Sequence, residues 1–212
     1  MTADYTKIDG RRQRSRVTRV RVIDAAAGLF LERGYVAATI EDVAERAGVA
    51  VQTVYYVFGT KPKLLSAVLD ASIAGDAEPV PVLERPWVAA LREQHDVGSA
   101  MERLVNDSVT ILSRTSPLYE VVRRAAADPE VNQLLQDTRR RRRADQRALI
   151  EILSKARRLR PDLDVDTAAD VFYGLINEEV FQLFVGDCGW DVERLKRWAT
   201  SLMMQQLIGE AE

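Results

Sequence analysis

Residues 39 to 61 read TIEDVAERAGVAVQTVYYVFGTK. Thr39 stands just ahead of Ile40, Val43, Ala44 and Ala47, whose spacing of three and four places them on one face of a helix. A threonine there accepts a hydrogen bond from the free amides of the first turn, and Asp42 is a weaker version of the reciprocal acid of a capping box. Ala44 and Ala47 are small, so a second helix can cross closely. Gly48 falls where a turn needs positive φ, and Val49 is placed to bury between two helices. On the next helix, about 51 to 57, Val54 looks inward with Phe58. At 100° per residue, Gln52, Thr53, Tyr55 and Tyr56 face outward. Amides and hydroxyls reach base edges and phosphates, and tyrosine rings pack on sugars or a thymine methyl. Lys61, Pro62 and Lys63 open a further helix; proline is tolerated in a first turn, and free amides with two lysines attract phosphate. The competing reading is a packing unit without a nucleic-acid role, and the polar, hydroxyl-rich outer face of so short a helix argues against it.

Around this motif the 212-residue chain is 47% hydrophobic and 7% aromatic, a composition that suits packed helices and predicts an all-α fold of about nine to ten helices. Val20, Ile23, Ala27, Phe30 and Leu31 form a helical stripe ahead of the motif, ended by Gly34. Residues 1–15 are polar and aperiodic and read as a flexible basic arm; 16–74 read as the helix-turn-helix domain and 75–212 as a larger bundle. The connector near Gly75–Pro86 holds Pro79, Pro81 and Pro86, which remove backbone donors. Helices are expected at about 86–94, 97–114, 117–126, 129–158, 166–186 and 190–208. Net charge is only −2, yet up to residue 74 there are 11 Lys/Arg against 8 Asp/Glu, and 19 against 24 thereafter. Lys7, Arg11, Arg12, Arg14, Arg16, Arg19 and Arg21 make the beginning strongly basic, as a DNA contact confined to one end, or a solvated tail, would be. No secretory signal or membrane span is read, Cys188 is the one cysteine, and a cytoplasmic, nucleoid-associated protein is expected.

The segment from about Arg16 to Leu69, roughly a quarter of the chain, resembles the N-terminal domain of the TetR family of transcriptional regulators. The resemblance lies in Thr39, Ile40, Val43, Ala44, Ala47–Gly48–Val49, Thr53–Val54–Tyr55–Tyr56, Phe58, Lys61 and Leu64–Leu65. It implies phosphate contacts from Thr39, Thr53, Tyr56 and Lys61, and base contacts from Val51, Gln52 and Tyr55. Two departures stand out: Gln52 where a small residue is frequent, and Val57 where histidine is frequent. A glutamine there suits a bidentate contact to adenine.

Beyond the connector the resemblance transfers architecture only: a ligand-sensing bundle whose last two helices pair across a two-fold axis. Leu175, Phe184, Val192, Leu195, Trp198 and Leu202 are the candidate dimer residues, ordinary core being the alternative for each. Trp87, Met101, Leu104, Val105, Ser108, Leu112, Tyr119, Phe172, Tyr173 and Asn177 are candidates to line a pocket for a small apolar or amphipathic effector. Arg139 to Arg143 cannot share one helix face and read mainly as solvated surface, with Arg142 placed inward to meet an acid or an anionic ligand. Glu178 and Glu179 read as exposed or interfacial. His95 is the one histidine and has no partner to suggest a metal. The expected partners are double-stranded operator DNA, a second copy of the chain and a small effector, with no membrane, metal, cofactor or catalytic residue. A ligand-released repressor leads; an activator or effector-free regulator, and a helical enzyme, are the alternatives.

Overall fold

The computed structural model of the protein describes residues 3–76, 80–156 and 159–208. Two units are formed, one from residues 1–79 with 117–134, the other from 80–116 with 135–212. The first contains α1 (Ala3–Ala37), α2 (Ile40–Ala47), α3 (Val51–Phe58) and α4 (Lys61–Ala74). The second contains α5 (Pro86–Glu93), α8 (Val165–Leu175), α9 (Glu178–Phe181), a π-helical turn at Gln182–Asp187 and α10 (Val192–Leu207). The long helices α6 (Val97–Arg124) and α7 (Pro129–Ala156) contribute to both, their joined ends at 117–134 belonging to the first. Composition places one boundary near Gly75; the chain instead returns to the first unit for Leu118, Tyr119, Val122 and Val131, all buried there.

In α1 the backbone is helical from Ala3, where a flexible arm is expected; Gln13, Arg14 and Ser15 are exposed. The side chains of Lys7, Arg11 and Arg12 lie outside the described residues, as do the connector residues 77–79. The buried stripe of α1 is Val22, Ile23, Ala26, Leu29 and Phe30, whereas Leu31 is 49% exposed. The expected stripe is therefore turned by about one position, with Phe30 packed against Tyr35 at a ring tilt of 50° and centroids 5.7 Å apart. Gly34, at φ 79°, lets the chain bend before Tyr35.

The next three helices begin and end on local signals. Thr39 accepts from the Asp42 amide and donates its own amide to Asp42, both at 3.0 Å, completing the capping box of α2. Gly48 ends that helix at φ 61° and ψ 45°, its amide donating to Ala44 and Glu45. Ile40, Val43, Ala44 and Ala47 are all buried, as their spacing demands. Thr60 caps α4, with Pro62 in its first turn.

The second unit departs from the sequence reading in two places. Helix α6 runs without interruption through Pro117. An internal proline costs a helix about 3 kcal/mol, outweighed here by burial of Leu112, Thr115, Ser116, Leu118 and Tyr119 around an exposed ring. Conversely, the helix expected over 166–186 divides at Ile176–Asn177. Asn177 is extended at φ −145° and ψ 171°, and its side chain caps α9 by accepting from Val180 at 2.7 Å. The core is apolar, centred on Met101, Leu104, Ile150, Leu153, Phe172 and Met203, and α10 ends where Arg160 donates to Leu207 at 3.0 Å.

Gly48→Ala tests the first of these turns. Its Cβ would adopt a left-handed conformation 2.7 Å from Arg21 Nη2, so a loss of about 1–2 kcal/mol is expected in chemical denaturation.

Candidate nucleic-acid interface

The turn after α2 sets the attitude of α3. Val54 and Phe58 form the buried foot of the short helix, and the Arg19 guanidinium lies 5.0 Å over the Phe58 ring. Arg21 reaches across from α1 and donates to the carbonyls of Ala47 and Gly48. It therefore clamps the last carbonyls of α2 where the helix leaves them without internal partners. Sequence spacing does not single out Arg21, since it pairs residues more than twenty positions apart. Arg46 is fastened to Glu32 on α1 by two bonds of 2.7 Å, which hold the far side of α2.

On this base α3 turns outward the residues expected to face DNA. Tyr56 is 89% exposed and Tyr55 48% exposed, and Gln52, one turn earlier on the helix, is exposed too. Val51 and Thr53 are half-buried at its first turn, and Val57 is half-buried on its flank. Helix α3 has neither a side-chain cap nor an acid in its first turn, so its positive end is uncompensated. The N-terminus of α2 differs, because its capping box places Asp42 there. Hydrogen bonds from Thr39 hold the Asp42 carboxyl below the usual range. Thr39 is exposed, but its hydroxyl donates to Asp42 at 2.8 Å.

Lys61 differs most from its expected pose. Its ammonium lies 4.4 Å over the Tyr35 ring and donates to the Val36 carbonyl at 3.3 Å. Burial lowers its pKa, against an opposing pull from Asp128. The same setting pushes the Tyr35 hydroxyl up to about 12, mainly by burial, with Asp128 and Glu130 adding to it. The lysine beside it, Lys63, is the exposed one, and it offers a phosphate the freer charge at the start of α4.

In the second unit Met101, Leu104, Val105, Ser108, Leu112 and Phe172 are buried core residues, while Trp87 packs partly buried against that core. Tyr119 is grouped with the first unit. Tyr173 lies against Arg142, at 4.6 Å from ring to guanidinium, and the Asn177 amide is spent on the α8–α9 break. An open polar groove is instead lined by Gln94, Ser99, Glu102, Arg103, Asn106 and Asp107, none of them an expected pocket residue. Of the dimer candidates, Leu195 is core at 3% exposure, whereas Leu175, Phe184, Val192, Trp198 and Leu202 are partly buried. Phe184 packs on Trp190 and Trp198 at 4.5 and 4.7 Å, beside the half-exposed Leu183. His95 is exposed beyond α5, its ring at 2.6 Å from the Glu93 carbonyl. No group of three or more metal-binding side chains occurs among the described residues, and no helix there is long and apolar enough to cross a membrane.

A hydroxyl-bearing helix raised on a clamped turn is the geometry of a helix-turn-helix reader. Residues 22–68 match the model of the N-terminal domain of bacterial regulatory proteins, tetR family. Residues 22–68 thus carry the N-terminal DNA-binding domain of the tetR type. It is 29% identical over 174 residues to the HTH-type transcriptional regulator YdeS of Bacillus subtilis, spanning 78% of this chain and 79% of YdeS. Other curated regulators are matched over 29 to 59% of their own length. Its fold is that of NalD from Pseudomonas aeruginosa, a repressor of a multidrug efflux pump, with TM-score 0.66 and 21% identity over 92% of this chain and 98% of NalD. A regulator from Saccharomonospora viridis, solved in complex with choline, superposes with TM-score 0.67 at 22% identity, over 91% of this chain and 98% of that one. The chain is a helix-turn-helix transcriptional regulator.

Because Tyr56 is almost fully exposed, Tyr56→Ala is expected to move stability by no more than about 0.5 kcal/mol while weakening operator binding at least tenfold. Val54→Ala, at the buried foot, should instead cost about 1–3 kcal/mol of stability. Paired denaturation and DNA-binding titrations separate the two effects.

Proposed function

We propose that this regulator is a homodimeric repressor that leaves a palindromic operator when a small apolar or amphipathic effector binds the second unit. The observation that carries the reading is α3: two apolar residues bury it, and Gln52, Tyr55 and Tyr56 face outward beside an uncapped helix start. In this reading Gln52 and Tyr55, with Val51, contact base edges. Thr53, Tyr56 and Lys63 contact phosphates, joined by Thr39, whose hydroxyl can accept as well as donate. Lys61 contributes to phosphate binding only after leaving the Tyr35 ring, so it acts at a cost that Lys63 does not have.

A dimer follows from the reading task, because two such helices must meet successive turns of the duplex, about 34–36 Å apart. The partly exposed cluster of Phe184, Trp190 and Trp198 with Leu183 supports a self-association surface. The S. viridis neighbour bound to choline and the repressor NalD support small-molecule control and repression as the sense of regulation. An effector shifts the protein off its operator only to the extent that it prefers the released state.

The test is binding of purified protein to DNA from the region upstream of its own gene. The expected outcome is two half-sites protected about one helical turn apart, and an affinity that falls steeply and linearly in a log–log plot against salt. Trp198→Glu is expected to sediment as a monomer and to lose most of that affinity. Absence of binding at moderate salt, in every ligand state tried, would end the proposal.

A further inference from the structure

Helix α7 carries Thr138, Arg142 and Gln146 four residues apart, and so on one face. Opposite them lie Tyr173 on α8 and the break between α8 and α9. At that break Val180 donates to the Asn177 side chain, and Gln146 Nε2 donates to the Ile176 carbonyl at 3.2 Å. Glu178, 8% exposed, forms an ion pair with Arg142, whose other contact is the Tyr173 ring.

This polar face is only partly satisfied. Gln146 is 7% exposed, yet its Oε1 accepts nothing; Thr138 Oγ1, Arg142 Nε and Glu178 Oε2 are also buried without a hydrogen-bond partner, the last held only by its ion pair with Arg142. Buried polar atoms are nearly always matched, so several unmatched ones on one face mark a place where something else supplies the partners. They differ in kind: Gln146 Oε1 accepts, Arg142 Nε–H donates, and the threonine hydroxyl does either. Charge is already balanced. Glu178 neutralises Arg142, and the adjoining Arg139–Glu179 and Arg143–Asp170 pairs are matched too, at 3.4 and 2.7 Å. A bound anion would have to strip Glu178 from its arginine, and a bound cation would meet the guanidinium; either leaves a buried charge uncompensated.

We infer that the α7 face of Thr138, Arg142 and Gln146, closed by Tyr173, Ile176 and Glu178, binds a neutral small molecule whose polar end both donates and accepts hydrogen bonds. A primary amide is the simplest such group: its N–H donates to Gln146 Oε1, and its carbonyl accepts from Arg142 Nε and from the Thr138 hydroxyl. The apolar body rests against Tyr173 and Ile176. This inference builds on the effector reading of the second unit and assigns that effector its chemical class.

Calorimetric titration of the full chain with benzamide, benzoate, benzylamine and toluene tests it, alongside Thr138→Val and Gln146→Leu. Benzamide is expected to bind and to raise the melting temperature, with benzoate, benzylamine and toluene at least tenfold weaker. Each substitution should weaken benzamide about tenfold, as loss of one buried hydrogen bond does. Thr138→Val keeps the test valid if Gln146→Leu, which also loses its bond to Ile176, proves unstable. No binding of benzamide, equal binding of toluene, or indifference to Thr138→Val overturns the inference. Release of operator DNA by some other compound, with benzamide unbound, would sink this assignment and leave the repressor proposal standing. Operator binding that no compound relieves would count against the effector reading itself.

Discussion

Reversal of the backbone at Gly48 is the constraint on which the reading head depends. Helix α2 must end, the chain must turn within a few residues, and α3 must start at an angle that leaves its polar face in solvent. Glycine permits the left-handed conformation, φ 61°, that makes so short a reversal possible. Arg21 then takes up the carbonyls of Ala47 and Gly48, and the small side chains of Ala44 and Ala47 keep α2 close to its neighbours. A larger residue at position 48 would strain the backbone and crowd the arginine that braces it, so turn geometry and brace are one device. The exposure of Tyr55 and Tyr56 follows, because Val54 and Phe58, with Val51 and Val57 half-buried beside them, take the inward side of the helix.

The arginine-rich run of α7 takes on a different meaning once its partners are known. Arg139, Arg142, Arg143 and Arg147 pair with Glu179, Glu178, Asp170 and Asp166. The run reads as solvated surface when only its own helix is considered, and three of these pairs are indeed exposed, where solvent screening leaves them little effect on stability. Arg142–Glu178 is different, with side-chain exposures of 19% and 10%. A buried pair of this kind adds little net stability but penalises any packing that separates its members. It thus holds α7 in register with the α8–α9 break. Glu178, expected to be exposed or interfacial, is buried for that reason.

Lys61 shows how a tertiary contact changes what a charge at a helix start can do. At the first turn of α4 it has the position of a phosphate ligand, yet the Tyr35 ring and the Val36 carbonyl already engage it. A cation over an aromatic face gains attraction at some loss of hydration, and transfer to a phosphate must replace both contacts. Lys63 carries no such burden.

The amino-acid sequence by itself determined the helix-turn-helix, the all-α class and the outward set on α3. Those rest on interactions within about four residues: the Thr39–Asp42 capping box, the Ala47–Gly48 turn and the three-and-four spacing of Ile40, Val43, Ala44 and Ala47. The tertiary structure alone decided that Leu29 replaces Leu31 inside α1, that α6 passes through Pro117 while the next expected long helix breaks at Asn177, that Leu195 is core, that Lys61 turns inward, and that the acid met by the inward Arg142 is Glu178. Each of these depends on which distant side chain arrives opposite: Tyr35 for Phe30 and Lys61, Glu178 for Arg142. Local pattern fixes the period and the ends of a helix, but the partner across the packing interface selects the inward face and the pairing of each long, charged side chain.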